Sequence, residues 1–258
     1  MSRRNRFSWV SLSLAAFVAA GCGGEGGGQA ESSGEDTGSV MESPVDAATA
    51  GTITGGVMFA GTAPEATMID MAEEDVCEQK GQRYGESVVV NDNGSLGNVF
   101  VYVKQGLESM SFPVPQTPVE IDQNGCWYIP RVLGLQVGQE LLIKNSDGVL
   151  HNINAKPEVN RGFNISQPVV METKRTFRAA EVMVPLECDV HGWMQAFVGV
   201  LDHPYYAVTG ADGSFDLAPL PPGTYVIEAW HERYGTQTQE ITVGTSEEVE
   251  VSFTFGDM

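Results

Sequence analysis

The sequence predicts an all-β protein built from two β-sandwiches, on three observations. Glu248 to Phe255 alternates strictly, with Val249, Val251, Phe253 and Phe255 on one face and Glu248, Glu250, Ser252 and Thr254 on the other, the period of a half-buried strand. Val99 to Val103, Glu140 to Lys144 and Tyr225 to Ala229 are further runs of strand length, rich in β-branched and aromatic residues and bounded by Gly, Asn and Pro turns. Only Met71 to Gln82 has a helix-compatible pattern, and it is short. Many short strands with frequent turns close into sandwiches through Greek-key connections.

The 258 residues, 42% hydrophobic and 19% charged, suffice for one large or two modest domains with a buried core. Acidic residues number 34 against 14 basic, a net charge of −20, which argues against nucleic acid and anionic membrane surfaces as partners. At the N-terminus Arg3, Arg4 and Arg6 precede an apolar stretch, Trp9 to Ala20, too short to span a bilayer, so this is read as an export signal. It ends in Val18-Ala19-Ala20-Gly21-Cys22, which resembles the lipobox of bacterial lipoproteins. That resemblance implies a signal peptide over residues 1–21 and lipidation of Cys22. The protein is then exported and held at the periplasmic or outer face of a bacterial membrane through a lipid anchor alone. An ordinary secretory signal is the other reading. Residues 22–50, rich in Gly, Ser, Ala and Glu, cannot bury enough surface to order themselves and read as a flexible tether.

The C-terminal region, 205–258, contains Thr209-Gly210-Ala211-Asp212-Gly213-Ser214 and Leu220-Pro221-Pro222-Gly223-Thr224-Tyr225. Asp212-Gly213 suits a tight hairpin, and the Pro-Pro-Gly turn redirects the chain into the next strand. This stretch resembles the carboxypeptidase regulatory-like, transthyretin-type β-sandwich, but it is short for that fold. The strands at Thr52 to Val57 and Asn98 to Val103 look like its opening strands. The expectation is that residues 51–109 complete the C-terminal sandwich and that 110–204 is inserted between its halves. Alternatively, the N-terminal strands extend the sheet of the 110–204 domain.

The sharpest local signal is Cys188-Asp189-Val190-His191-Gly192-Trp193-Met194, with Asn145-Ser146-Asp147-Gly148-Val149-Leu150-His151-Asn152 upstream. One thiolate, two imidazoles and a thioether are the donors of a blue-copper centre. A short loop between adjacent strands can deliver Cys, His and Met to one ion while the second His arrives from a neighbouring strand. The Cys-x2-His-x2-Met spacing and the His-Asn pair resemble the cupredoxins, amicyanin and plastocyanin among them. The resemblance implies a Greek-key cupredoxin sandwich over 110–204 holding one copper ion per chain. It makes His151, Cys188 and His191 the strong equatorial ligands and Met194 the long axial one. It also implies one-electron exchange with a redox protein partner such as a cytochrome. No coordination position is left for a substrate, so the chain is not expected to be an enzyme.

In that family the loop histidine, here His191, is the solvent-side ligand. Trp193 beside it reads either as an apolar docking surface or as a core side chain. Val190 stands where the family has Pro and keeps its N–H; with Asn152 it is expected to donate to the Cys188 sulfur and raise the reduction potential. Leu186 stands where the family often has Tyr, so no electron route through that position is carried over. If Cys22 carries lipid and Cys188 metal, Cys77 and Cys126 remain as a disulfide in an oxidising compartment, or else as two buried thiols. Zinc is the weaker alternative for the ion, because it normally takes four strong ligands. His203 and His231 are expected to be hydrogen-bonding residues at strand ends rather than a second metal site. The acidic runs Glu73-Glu74-Asp75 and Glu247-Glu248 read as solvated faces that favour a basic partner. Two rival functions use the same features: copper storage or delivery, and a surface interaction module with a structural copper in which Tyr205, Tyr206, Trp230 and Tyr234 bind a polymer or protein.

Overall fold

The computed structural model describes residues 45–256 except residue 73, so the expected export signal, Cys22, Glu73 and most of the expected tether lie outside the described residues. The described chain opens with β1 (Gly51–Ala60) and a sparse segment holding β2 (Met68–Ile69), α1 (Asp75–Glu78) and β3 (Arg83–Tyr84), followed by β4 (Phe100–Gln105). Then come β5 (Val119–Gln123), β6 (Tyr128–Ile129), β7 (Val132–Gln136), β8 (Glu140–Asn145) and β9 (His151–Ala155). Next are β10 (Phe163–Gln167), β11 (Met171–Thr176), β12 (Glu181–Glu187) and β13 (Gln195–Leu201). The chain closes with β14 (Tyr206–Val208), β15 (Ser214–Leu220), β16 (Gly223–His231), β17 (Gly235–Val243) and β18 (Glu248–Gly256). The protein is essentially all-β, and no helix among the described residues is long and apolar enough to cross a membrane.

Two sandwiches result. One is formed by the sheets β10-β9-β12-β13-β7 and β11-β8-β5-β6, the other by β15-β1-β18 and β14-β4-β16-β17. In the second, β1 lies between β15 and β18 and β4 between β14 and β16, so N-terminal strands are central in both sheets. Each sandwich has its own core: Ile121, Leu135, Ile143, Ile153, Val184 and Val198 among others in the first, and Ile53, Val101, Leu217, Ile227, Val251 and Phe253 among others in the second. The alternation at 248–255 appears directly, Val251, Phe253 and Phe255 being buried and Ser252 and Thr254 exposed.

A third cluster joins the sandwiches, with Phe100, Tyr102, Val132 and Leu201 buried and Phe197, Tyr206 and Trp230 packed on them. Gly134 and Gly199 make this approach possible, since a Cβ would lie 2.3 Å from a ring carbon of Tyr206 in the first case and of Phe100 in the second. Arg131 crosses the junction to Glu232 through paired bonds of 2.6 and 2.8 Å. The four aromatics considered as an exposed binding surface are buried or half-buried in the packing. Tyr205 is buried at 2% exposure, Tyr206 and Trp230 pack in the junction, and Tyr234 lies against the second core.

The stretch 71–82 forms only the single turn α1 rather than a longer helix. Glu74 at its start makes no side-chain capping bond, Gly81 at φ +98° turns the chain away, and four residues are too few for a helix to sustain itself. Its place is set instead by the disulfide from Cys77 to Cys126.

Candidate metal centre

Two loops at one end of the first sandwich build the site. Between β8 and β9, Asn145 donates from its side-chain amide to the carbonyls of Val149 and Gln167, both at 2.8 Å, and its Oδ1 accepts the N–H of Asp147 at 3.0 Å. Gly148 turns with φ +74°, and His151 emerges at the first position of β9, paired across to Gln167. Between β12 and β13, the last paired residues are Glu187 and Gln195. Inside that hairpin the Cys188 N–H bonds to the Met194 carbonyl at 3.1 Å and the Met194 N–H to the His191 carbonyl at 2.9 Å. The loop is thus closed on itself with Cys188, His191 and Met194 turned inward and buried at 4%, 3% and 1% exposure.

One ligand atom each from His151, Cys188 and His191 lies within 4.8 Å of the others. The two Nδ1 atoms are 2.9 Å apart, and Cys188 Sγ is 3.8 Å from His191 Nδ1. On the far side of its ring, His151 bonds through Nε2 to Asp147 at 3.0 Å. That bond puts the His151 proton on Nε2 and leaves Nδ1 as a lone pair facing inward, with His191 Nδ1–H as its donor in the metal-free chain. A metal would replace that proton. The donor set of two imidazoles and a thiol, with a buried thioether on the same loop, fits copper. A second group, Cys126, Asp147 and His151, is also compact, but its cysteine is in the disulfide. His203 and His231 join neither group: His203 Nδ1 accepts the Tyr205 N–H at 3.2 Å, and His231 stacks on Tyr234.

The family of carboxypeptidase regulatory-like domains matches residues 194–256. No curated protein matches the sequence. Solved structures similar to parts of the chain include a copper-containing nitrite reductase from Thermus scotoductus, at 17% identity and a TM-score of 0.32, covering 38% of this chain. The chain spans only 26% of that reductase. An oxidised amicyanin variant is 18% identical with a TM-score of 0.30, the match covering 39% of this chain and 97% of amicyanin. A purple cupredoxin from Nitrosopumilus maritimus is 21% identical with a TM-score of 0.28, over 32% of this chain and 98% of that one.

The surroundings differ in three ways from the expectations set by the family pattern. First, the amide that reaches the Cys188 sulfur is that of His191, at 3.3 Å, because the tight turn after Cys188 carries the third residue back over it; Val190 points outward at 47% exposure. Second, Asn152 presents its oxygen to Cys188, not a donor. Oδ1 accepts the Asp189 N–H at 2.7 Å and the Cys188 thiol at 3.2 Å, while Nδ2 donates to Asp189 and Asn164. Third, His191 is not at the surface, and its Nε2 lies 3.7 Å from Cys77 Sγ of the disulfide. Trp193, read either as a docking surface or as a core side chain, is half-buried: its Nε1–H donates to the Cys126 carbonyl at 3.0 Å and its ring lies 5.1 Å from that of His191.

Two carboxylates that the sequence reading passed over brace the site. Asp189 receives Asn152 at 2.9 Å, Asn154 at 3.0 Å and Asn164 at 2.6 Å, and the bonds from Asn154 and Asn164 hold its carboxyl below the usual aspartate range. The alternation Asn152-Ile153-Asn154 turns both amides to one face of β9, a signal available in the sequence. Burial would raise the Asp147 carboxyl, but the amides of Cys126 and Gly125, His151 and Lys80 together lower it. Burial, first of all, keeps both imidazoles below the ordinary histidine range, so they are neutral and ready to ligate at pH 7.

Proposed function

We propose that the chain is a type 1 copper electron-transfer protein, exported and anchored by a lipid on Cys22 at the periplasmic or outer face of a bacterial membrane. The observation that carries the reading is the convergence of His151, Cys188 and His191 in a buried pocket, with Met194 buried on the same closed loop. His151, Cys188 and His191 would hold the ion, with the Met194 thioether from the same loop. When bound, copper supplies a one-electron couple, for which soft sulfur donors favour the reduced ion and imidazoles serve both states.

The chain's own residues do the rest. Asp147 fixes the His151 ring and its proton, the His191 amide offsets charge on the Cys188 sulfur, and the three asparagines on Asp189 pin the loop. Burial keeps bulk water from the donors. A site held this firmly at both loops changes little between oxidation states, which suits fast electron exchange. The same closure supports a resident ion over a cargo ion to be released. The net charge of −20 favours a redox partner with a basic face, such as a cationic cytochrome, and an exchange rate that falls as salt rises.

The test is visible absorption and electron paramagnetic resonance of the purified chain titrated with Cu(II), beside Cys188→Ser. An intense blue band with narrow copper hyperfine splitting, absent from the variant, is expected; a colourless or pale protein with wide splitting overturns the reading. For the anchor, Cys22→Ala is expected to move the protein from the membrane fraction to the soluble one.

A further inference from the structure

A ligand histidine sealed from solvent needs a cover, and here the cover is a segment with almost no structure of its own. From Met68 to Tyr84 the chain holds two strands of two residues and one helical turn. Its position comes from ties to the metal end of the first sandwich. Cys77 is bonded to Cys126, 49 positions away. Lys80 Nζ pairs with Asp147 Oδ1 at 3.1 Å, on the carboxylate that also holds His151. Met71, Cys77 and Cys126 form a small buried cluster with Ile69, Val149 and Trp193. The disulfide lies directly on the outer edge of His191, with Cys77 Sγ 3.7 Å from Nε2.

Resting on the proposed metal centre, we infer that Cys77 and Cys126 are positioning residues of that centre: their disulfide fastens the 68–84 segment as a fixed cover over His191 and so sets how fast metal ions and outside reagents reach the site. Both cysteines are 0% exposed, so the fastening is itself shielded from thiols in solution. Reagents then reach His191 only when the segment opens locally, and each lost tie makes that opening more frequent.

The experiment uses the full chain, first without metal. Diethyl pyrocarbonate modifies accessible neutral imidazoles, and peptide mass spectrometry reports His191 and His231 separately. Wild-type His191 is expected to react as slowly as His231, which is buried at 1% exposure in the other sandwich. In Cys77→Ser/Cys126→Ser the His191 rate is expected to rise by about tenfold or more with His231 unchanged, since removing the cross-link frees the segment to open. Lys80→Ala, which cuts the second tie without touching the core, is expected to give a smaller rise. If the double variant also exposes His231, it has lost its fold, and Lys80→Ala alone decides. With copper bound, stripping by a Cu(I) chelator such as bathocuproine disulfonate is expected to speed up in the same variants while the visible band keeps its position. Wild-type His191 reactivity in every folded variant overturns the inference. Failure of the copper reading is separate: no blue band forms in any chain, and the His191 rates still decide whether the cover exists.

Discussion

Both carboxylate oxygens of Asp147 are occupied by protein donors, Oδ1 by the Gly125 amide at 2.8 Å and Lys80, Oδ2 by the Cys126 amide at 2.7 Å and His151 Nε2. Its side chain is 0% exposed, so it links the β5–β6 turn, the 68–84 segment and His151 from one buried point. Asn has one acceptor oxygen, and its NH2 group would face a backbone N–H as a second donor. Asp147→Asn is therefore expected to weaken copper binding by roughly 10- to 100-fold, the usual loss when the partner of a ligating histidine is removed. Competition against a chromophoric chelator reads this directly, and unchanged affinity would remove Asp147 from the account. The candidate ligands were legible because a seven-residue loop carries Cys188, His191 and Met194 at a recognisable spacing. Asp147 was not, since Asn-Ser-Asp-Gly reads as a turn and nothing local says that its carboxylate faces inward to amides 21 and 22 positions away. The same holds for the sulfur's amide donor: the resemblance to the cupredoxin loop pointed to Val190, but only the turn geometry selects His191.

Strands β7 and β13 pair in parallel, and their outward glycines let the second sandwich close on them. At Gly199 a Cβ would meet Phe100 ring carbons at 2.3, 2.7 and 2.9 Å, and Phe100 is itself fully buried, so neither side can give way cheaply. Gly199→Ala is expected to cost about 1–3 kcal/mol by overpacking, seen as a lower urea midpoint, with the candidate metal site intact because it lies in the β8–β9 and β12–β13 loops. Glu232→Ala tests the same junction by charge. It strands Arg131, whose side chain is 6% exposed, and is expected to cost about 3–5 kcal/mol, more than the worth of the pair, because an unpaired buried cation remains. Equal stability of Glu232→Ala and wild type would mean that water reaches Arg131 in the variant. Strands such as β8, β16 and β18 were readable from alternation and β-branched runs. The 68–84 segment was not, because its strands are two residues long and its order comes from a bond to a residue 49 positions on. Periodicity reports faces of elements, and this segment has too little element to have a face.

Across the whole molecule, titration points one way. All four histidines sit below the ordinary range, each through burial first, and His231 is lowered furthest, to about 4, by burial and then by Arg131. A histidine depressed in the native state is protonated first in the unfolded chain, so stability is full above about 6.5 and falls as pH drops toward the folded value. For His231 alone that window runs from 6.5 to about 4 and is worth up to roughly 3 kcal/mol at its acid end. Asp147, Asp189 and Glu181 are also held low, and their contribution, present above the ordinary carboxylate range, is lost as pH falls through their folded values. Net charge opposes this trend: a chain at −20 repels itself, and acid relieves the repulsion. Salt separates the two effects, because exposed charges are screened beyond about 8 Å at physiological ionic strength while buried groups are not. In 0.15 M salt the urea midpoint of the metal-free chain is expected to stay level from pH 9 to 7 and to fall steadily from 6.5 to 4. His231→Phe, which keeps an aromatic ring beside Tyr234 and Phe255 but gives up the bond from the Arg233 N–H, is expected to be less stable at pH 7 and to lose less between 6.5 and 4. A midpoint that rises on acidification in both proteins would place pH sensitivity in the surface charge instead, and the buried histidines would then be bystanders to stability.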